Sequence, residues 1–528
     1  MTTADYAQHF TPCHAVDLAY DLIGELYPRL RDPHLIDPAC GEGAFLFRAL
    51  ERGVTTPGRA IGIERDLALA RRAFGRTDGP RAAVADALAG LAAPAAPGAF
   101  DLVIANPPYG TGAAGLREIS QGEAARVLAH YDLWAIPRSA RPRTAPERLR
   151  SYPAEVLFLE LCVSLARAGG HIAILLPEGL VANARYASVR GWMLANLQLD
   201  AVIGLPKSTF CRTGAAAKTV LLLMTRRLPS PGHRILLGAV GDWGQASERV
   251  DGSRPQAPDC PTGAVGPVPC LRAVLDFVTH QPQSNPQLLH RLDPSYWHPS
   301  HEALLSACRW PTAPLGGFIR DLTYGPIVTG REAPSLPGGV PIVNQGQVRF
   351  CGVDLTDAPR VPLPSPWVSP RSMLRAGDVV LPRSGEGSLG RHRVAVFLGD
   401  EPAGVGSFVD LVRLRGVSPF YVAAFLKSHL GRAQVSRVAN GVGVPNISFD
   451  EIRSLRLPLL PPSSQQAIEG RYRRNVLPLH RQAVARHAQL RSCNLPPRED
   501  AELARLRETG EGLWRQVISD LDALLLGS

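Results

Sequence analysis

The chain has 528 residues, 45% hydrophobic and 20% charged, so it is long enough for two or three domains with buried cores and has the composition of an ordinary soluble protein. Its net charge of +10 suits a polyanionic partner, although lysine occurs only at Lys207, Lys218 and Lys427, an arginine skew that also fits a GC-rich genome. Apolar runs stay strand-sized, no leader pattern opens the chain, and the nine cysteines lack paired Cys-x-x-Cys spacing with nearby histidines, so no membrane span, signal peptide or metal site is expected and the protein reads as cytoplasmic with reduced thiols.

Up to about residue 228, strand-like and helix-like stretches alternate, which predicts an α/β fold with a mostly parallel sheet and helices on both faces. The first strand enters LIDPACGEGAF, from Leu35 to Phe45, where Asp37 is followed by Gly41 and Gly43 and then by the helix-like LFRALERG. Glycines at a strand-to-helix turn let a ligand approach the backbone, and in an open sheet the ligand lies beyond the carboxyl ends of the strands. The spacing is not the six-residue dinucleotide fingerprint, because the residue three beyond Gly43 is Leu46. The strand Ala60 to Ile63 ends in Glu64, placed to accept both hydroxyls of a ribose. Asp86, after Ala82-Ala83-Val84, is placed to accept from an adenine amino group.

The next strand, Leu102 to Ala105, delivers Asn106-Pro107-Pro108-Tyr109. Two prolines fix φ and remove two backbone donors. Carbonyl groups and the Asn106 side-chain oxygen are thereby left to accept from an NH2 group, while Tyr109 can stack on the ring that carries it.

In this order the motifs resemble the S-adenosylmethionine-dependent amino-methyltransferases of DNA, most closely their gamma arrangement, over about residues 6 to 228. His9-Phe10-Thr11-Pro12 resembles the first cofactor motif, and the loop holding Asp37, Ala39, Gly41 and Gly43 resembles the methionine-binding loop. The resemblance implies that Glu64 binds the ribose, that Asp86 binds the adenine of the cofactor, and that Asn106 to Tyr109 form the catalytic tetrapeptide at the cofactor's edge. It places Phe158 beside the cofactor adenine, and Phe210, in LPKSTFCRTG, as a second aromatic sandwiching a flipped base against Tyr109.

The amine of adenine is a poor nucleophile because its lone pair is delocalised. Acceptors at Asn106 and the Pro107 carbonyl would draw its N–H bonds out of plane and stabilise the developing charge. A base in a duplex must first leave the stack, which aromatic stacking helps offset. Cytosine N4 in DNA, a glutamine amide in a protein, and a DNA-binding specificity component with an inactive catalytic fold remain alternatives to adenine N6.

Between Gly110 and Tyr152 lies an insertion rich in arginine (Arg138, Arg141, Arg143, Arg148, Arg150). Residues 229 to 310 are rich in proline and glycine and read as a connector with a helix near Leu271 to Thr279. Residues 311 to 462 resemble one α+β target-recognition domain of type I restriction specificity subunits, through Leu292-Asp293-Pro294-Ser295-Tyr296-Trp297, LRAGDVVLPRSGEGSLG and NGVGVPNISFDEIRSLRLPLLPPSSQQ. The resemblance implies double-stranded DNA as partner. Candidate contacts are Arg383 and Ser384, Arg391 and Arg393, Asn344 and Gln345, and Arg437 with Asn440, since arginine can read guanine and amides can read adenine.

Residues 463 to 528 read as a helical tail broken at Pro478 and Pro496-Pro497, with an apolar stripe of Trp514, Val517, Ile518, Leu521, Leu524 and Leu525. One reader and one catalytic half on the same chain predict a monomer acting on a short, undivided site, with a dimer formed through the stripe as the rival. The residues two before each lysine are Leu205, Ala216 and Phe425, so no acid-x-Lys nuclease core is present, and no phosphate-binding Gly-x-x-x-x-Gly-Lys loop occurs. Any cutting partner is then a separate protein.

Overall fold

A computed structural model describes residues 11–74, 79–88, 96–110, 152–213, 218–241, 275–328, 336–385, 391–399, 401–439 and 446–527, with scattered positions from 120 to 132. These form two compact units divided between His298 and Pro299. The arginines of the 110–152 insertion lie outside the described residues, as do Phe10 and Asn440.

The first unit is built on a nine-stranded sheet. Its strands are β1 (Leu35–Asp37), β2 (Ala60–Glu64), β3 (Arg81–Val84), β4 (Phe100–Ala105), β5 (Ala166–Pro177), β6 (Gln198–Gly204), β7 (Thr219–Thr225), β8 (Arg234–Val240) and β9 (Leu275–Pro282), in the order β3-β2-β1-β4-β5-β7-β6-β8-β9. β3 through β5 in that order run parallel, whereas β7 is antiparallel to both its neighbours, so the sheet is mixed beyond β5.

Side chains alternate faces along a strand, and β4 shows the consequence. Leu102 and Ile104 join a core with Val16 and Leu22 of helix α1 (Cys13–Leu26) and Leu46 of helix α2 (Ala44–Glu51). Val103 and Ala105 join the opposite core with Leu157 and Leu161 of helix α3 (Ala154–Leu165). Burial on both faces is what a central strand of this sheet meets, and it explains why β4, parallel to its neighbours, and β7, antiparallel to its own, are both runs of apolar residues rather than alternations.

The expected connector from residue 229 is corrected by β8 and β9, which extend the sheet and carry the first unit to His298. The expected helix near Leu271 to Thr279 is a strand from Leu275 onward. Leu271, Val274, Leu275 and Val278 satisfy a helical period, but β9 is an edge strand whose exposure alternates residue by residue, so its burial has period two.

The second unit is α+β. A four-stranded sheet is formed by β10 (Ile319–Tyr324), β11 (Val379–Pro382), β12 (Ala395–Val396) and β13 (Val409–Leu414), in the order β10-β13-β11-β12, with small sheets beside it. Its helices include α4 (Pro419–Lys427), α5 (Pro462–Arg471), α6 (Leu477–Ser492) and α7 (Ala501–Leu526). The break expected at Pro478 is absent. A π-turn over Tyr472–Val476 joins α5 to α6, and the proline sits in the first turn of α6, where its missing N–H costs least. Of the stripe on α7, Trp514, Val517, Ile518, Leu521 and Leu525 are buried within the unit, with Trp514 edge-on to Tyr472, while Leu524 is exposed. Among the described residues no helix is long and apolar enough to cross a membrane.

Candidate active site

Because β3, β2, β1 and β4 are neighbouring parallel strands, their carboxyl ends lie side by side. Asp37 ends β1, Glu64 ends β2, Asp86 follows β3 by two residues and Asn106 follows β4 by one. All four line one pocket, together with Thr11, Ala39, Gly41, Pro107 and Phe158.

The loop after β1 is held by its own polar groups. The Ala39 N–H donates to Asp37 Oδ1 at 3.0 Å and the Gly41 N–H donates to Glu64 Oε2 at 2.9 Å, while the Asp66 N–H donates to Glu64 Oε1 at 2.8 Å. Gly41 and Gly43 have φ of +54° and +80°, and Gly43 caps α2. A side chain at Gly43 would be strained by that φ, and its Cβ would come within 2.9 Å of the Phe47 and Phe74 rings. On β2, a Cβ at Gly62 would come within 2.6 Å of Cys40 Sγ, so glycine is required for the loop to pack down.

Burial raises the Asp37 carboxyl to about 7, with the Glu64 charge adding to the rise and the Ala39 N–H opposing it. Asp86 Oδ1 accepts from the Leu88 N–H at 3.0 Å, and Asp86 Oδ2 stands 3.5 Å from Arg65 Nη1. The Phe158 ring, 4% exposed, is presented to the pocket by α3.

At the end of β4, Asn106 Nδ2 donates to Thr11 Oγ1 at 2.9 Å, and Asn106 Oδ1 accepts from the Tyr109 hydroxyl at 2.7 Å. Burial pushes the Tyr109 phenol well above its usual range, and Glu155 adds to this. The Gly110 N–H donates to Glu155 Oε2 at 2.8 Å, and the Ala154 N–H donates to the Gly110 carbonyl at 3.1 Å, so α3 anchors the far end of the tetrapeptide. Glu155 was not singled out from the sequence. Its signal was present, since Glu155 and Glu160 are buried carboxylates in an otherwise apolar helix, and such groups need partners.

Phe210 is corrected. Its ring is 2% exposed, in the core with Val16 and Leu205, whereas Phe158 belongs to the opposite core. The 3-10 segment Lys207–Thr213 turns Phe210 inward, so it has no face to offer a base in this conformation.

The candidate contacts of the second unit divide by their bonding. Arg383 places Nη2 at 3.1 Å from buried Asp410 Oδ1 and lays its guanidinium over the Tyr324 ring at 3.9 Å, which commits it to the core. Gln345 donates to the Ser384 carbonyl at 2.7 Å, Ser384 bridges to Asn446, and the Asn344 N–H donates to Gln347 Oε1 at 3.2 Å. Arg437 pairs with Glu302 at 2.8 Å. Arg391 and Arg393 line a cavity of this unit.

Residues 77–238 match the family described as N-6 DNA Methylase. The matched span contains Asp86, Asn106 to Tyr109 and Phe158, whereas Asp37 and Glu64 precede it. No curated protein matches the chain. Among solved structures, the type IIG restriction endonuclease BpuSI is similar at 11% identity, covering 97% of this chain and 66% of that one, with a TM-score of 0.44. The type IIL restriction-modification enzyme MmeI, in complex with DNA, is similar at 12% identity over 96% of this chain and 74% of that one, with a TM-score of 0.46. A type I restriction-modification methyltransferase subunit from Streptococcus thermophilus shares 19% identity over 44% and 48% of the two chains, with a TM-score of 0.33. The chain thus spans just under two thirds of the BpuSI enzyme and about half of the type I subunit. At these identities and TM-scores, the chemistry of this chain has to be argued from its own residues.

Proposed function

We propose that the chain is an S-adenosylmethionine-dependent DNA methyltransferase that transfers a methyl group to the exocyclic N6 of an adenine swung out of the duplex. The observation that carries this reading is the row of Asp37, Glu64, Asp86 and Asn106 at four neighbouring strand ends, opening on one pocket. The N-6 DNA Methylase match over residues 77–238 supports it.

The pocket fits the cofactor by its chemistry. Asp37, whose carboxyl burial raises to about 7, sits near Glu64, so a ligand bearing ammonium and sulfonium groups would stabilise both carboxylates. Glu64 would hold the ribose, Asp86 the adenine amine, and Phe158 would pack against the ring, with Thr11 and Pro12 closing the near side. Bound S-adenosylmethionine supplies a methyl group that is already activated. The chain's part is to place the amine against it and to accept its hydrogen bonds at Asn106 Oδ1 and the Pro107 carbonyl, acceptors fixed before the reaction begins. Tyr109 is the stacking residue for the flipped base.

Sequence reading is assigned to residues 311–462, and the role to restriction-modification, phage defence or solitary methylation. Expression in a methylation-free bacterium, followed by modification-sensitive sequencing, tests the whole reading. N6-methyladenine at one recurring sequence is the expected result, and DNA without a modified base refutes it.

A further inference from the structure

The second unit contains a cavity of about 350 Å³, within the size range of ligand sites. Five arginines line it, Arg349, Arg391, Arg393, Arg507 and Arg515, against two carboxylates, Asp354 and Glu511. Those carboxylates are already engaged. Asp354 Oδ2 stands 2.8 Å from His487 Nδ1, 3.4 Å from Arg507 Nη2 and 3.9 Å from Arg349 Nε, and Glu511 pairs with Arg515 at 3.2 Å.

Positive charge is left over at named atoms. Arg349 Nε is buried and, beyond its 3.9 Å ion pair with Asp354, has no hydrogen-bond partner among the described residues. Arg391 and Arg393 make no hydrogen bond or ion pair with any described residue. Burial, with the charges of Arg349 and Arg391, lowers the Arg393 pKa against the pull of Glu511, and burial with Arg349 lowers that of Arg507 against Asp354 and Asp357, so the nearby carboxylates only partly offset burial and the neighbouring guanidinium charges. The Arg515 guanidinium is braced on the Phe350 ring, 4.8 Å from its centroid. A folded protein keeps such a cluster at a cost that an anion in the cavity would offset.

The arrangement selects among anions. A planar carboxylate is satisfied by one guanidinium fork. Here the arginines come from three separate segments: Arg349 from one loop, Arg391 and Arg393 from a second, and Arg507 and Arg515 from α7. Convergence from three sides suits a tetrahedral oxyanion. We propose that this cavity is a phosphate-binding site, taking either a backbone phosphate of a nucleic acid or a free phosphorylated compound. The site belongs to the second unit alone and does not depend on the methyl-transfer reading.

The test is calorimetric titration of the full-length protein with inorganic pyrophosphate, repeated in the presence of a short DNA duplex and on Arg391→Gln/Arg393→Gln, whose side chains can be changed without breaking a bond to a described residue. Pyrophosphate binding should weaken about tenfold or more in the double variant, and Arg515→Gln, approaching from the helix side, should reproduce the loss. Competition by duplex assigns the natural occupant to the nucleic-acid backbone, and undisturbed binding assigns it to a free compound. If pyrophosphate does not bind but duplex affinity and its salt slope both fall in the variants, the backbone assignment stands as well. Absence of pyrophosphate binding, together with unchanged duplex affinity and salt slope in folded variants, overturns the proposal, whatever the methylation assay shows.

Discussion

The Tyr109 hydroxyl donates a 2.7 Å hydrogen bond to Asn106 Oδ1, the oxygen that the proposed reaction needs as an acceptor for the substrate amine. Meanwhile Thr11 Oγ1 holds the other end of the same amide. The amide is therefore oriented from both sides, and the tyrosine occupies one of the two lone pairs its oxygen can offer to a base.

Two substitutions separate these roles. Asn106→Ala should lower transfer by about a hundredfold or more, as loss of a preorganised group that stabilises developing charge does, while cofactor affinity stays within a few-fold. Tyr109→Phe keeps the stacking ring and frees Asn106 Oδ1. A hydrogen bond worth about 1 kcal/mol would no longer compete, so kcat/KM should hold or rise by up to about fivefold. Tyr109→Ala removes the ring, and 2-aminopurine fluorescence should report less flipped base. A large loss of kcat in Tyr109→Phe would give the hydroxyl a part in the chemistry that the geometry does not assign to it.

The Asp37 carboxyl, raised to about 7, makes the free protein sensitive to pH in a defined direction. The unfolded chain releases this proton near the ordinary aspartate value, about 3.9, and the folded chain only near 7. Between these values the folded state binds more protons, so the Asp37 contribution to stability falls as pH rises from about 4 to about 7 and is flat above. Asp37→Asn should remove that slope in thermal melts at low salt. In the wild type, affinity for S-adenosylmethionine should rise with pH to about 7 and then level off, because the cation binds best to the ionised carboxylate. Affinity independent of pH from 5 to 8 would detach Asp37 from the cationic end of the ligand.

Much of the candidate site's placement was legible because it depends on residue type at strand ends. Asp37, Glu64, Asp86 and Asn106 could be aligned from apolar runs alone, since a parallel sheet brings such ends together whatever the helices between them do. What could not be read depends on partners far apart in sequence. Arg383 looked available for a base, yet Asp410, 27 residues away, takes it. Phe210 looked like a pocket aromatic until a single 3-10 segment turned it into the core. β9 was hidden by an apolar pattern that satisfies two periods at once.

The position of β8 and β9 changes how the first unit should be cut. A fragment ending near residue 230 loses both strands and leaves β6, whose parallel partner is β8, as a long apolar edge. Such an edge invites aggregation. A fragment ending at His298 keeps all nine strands. The longer fragment should be soluble and bind S-adenosylmethionine in calorimetry, and the shorter should aggregate. The longer fragment should also lose sequence-specific methylation, because the proposed reader follows it. Retained specificity would remove the reading role from the second unit.

The apolar stripe of α7 bears on assembly. A stripe available for pairing with a second copy would leave several large side chains exposed, yet Trp514 and Leu521 are each 2% exposed and only Leu524 stands out, at 40%. The Trp514 ring lies edge-on to Tyr472, whose hydroxyl reaches the Cys351 carbonyl at 2.5 Å, so the stripe braces the helical tail against the rest of its own unit. Self-association through these side chains would first have to undo that packing. Light scattering should therefore give a monomer, with and without target DNA. Trp514→Ala should cost about 3–5 kcal/mol and lower the melting temperature of the second unit, as truncation of a buried tryptophan does, without changing the mass in solution. A wild-type dimer that falls to a monomer in Leu524→Ser, with the melting temperature unchanged, would show instead that the exposed end of the stripe is an interface.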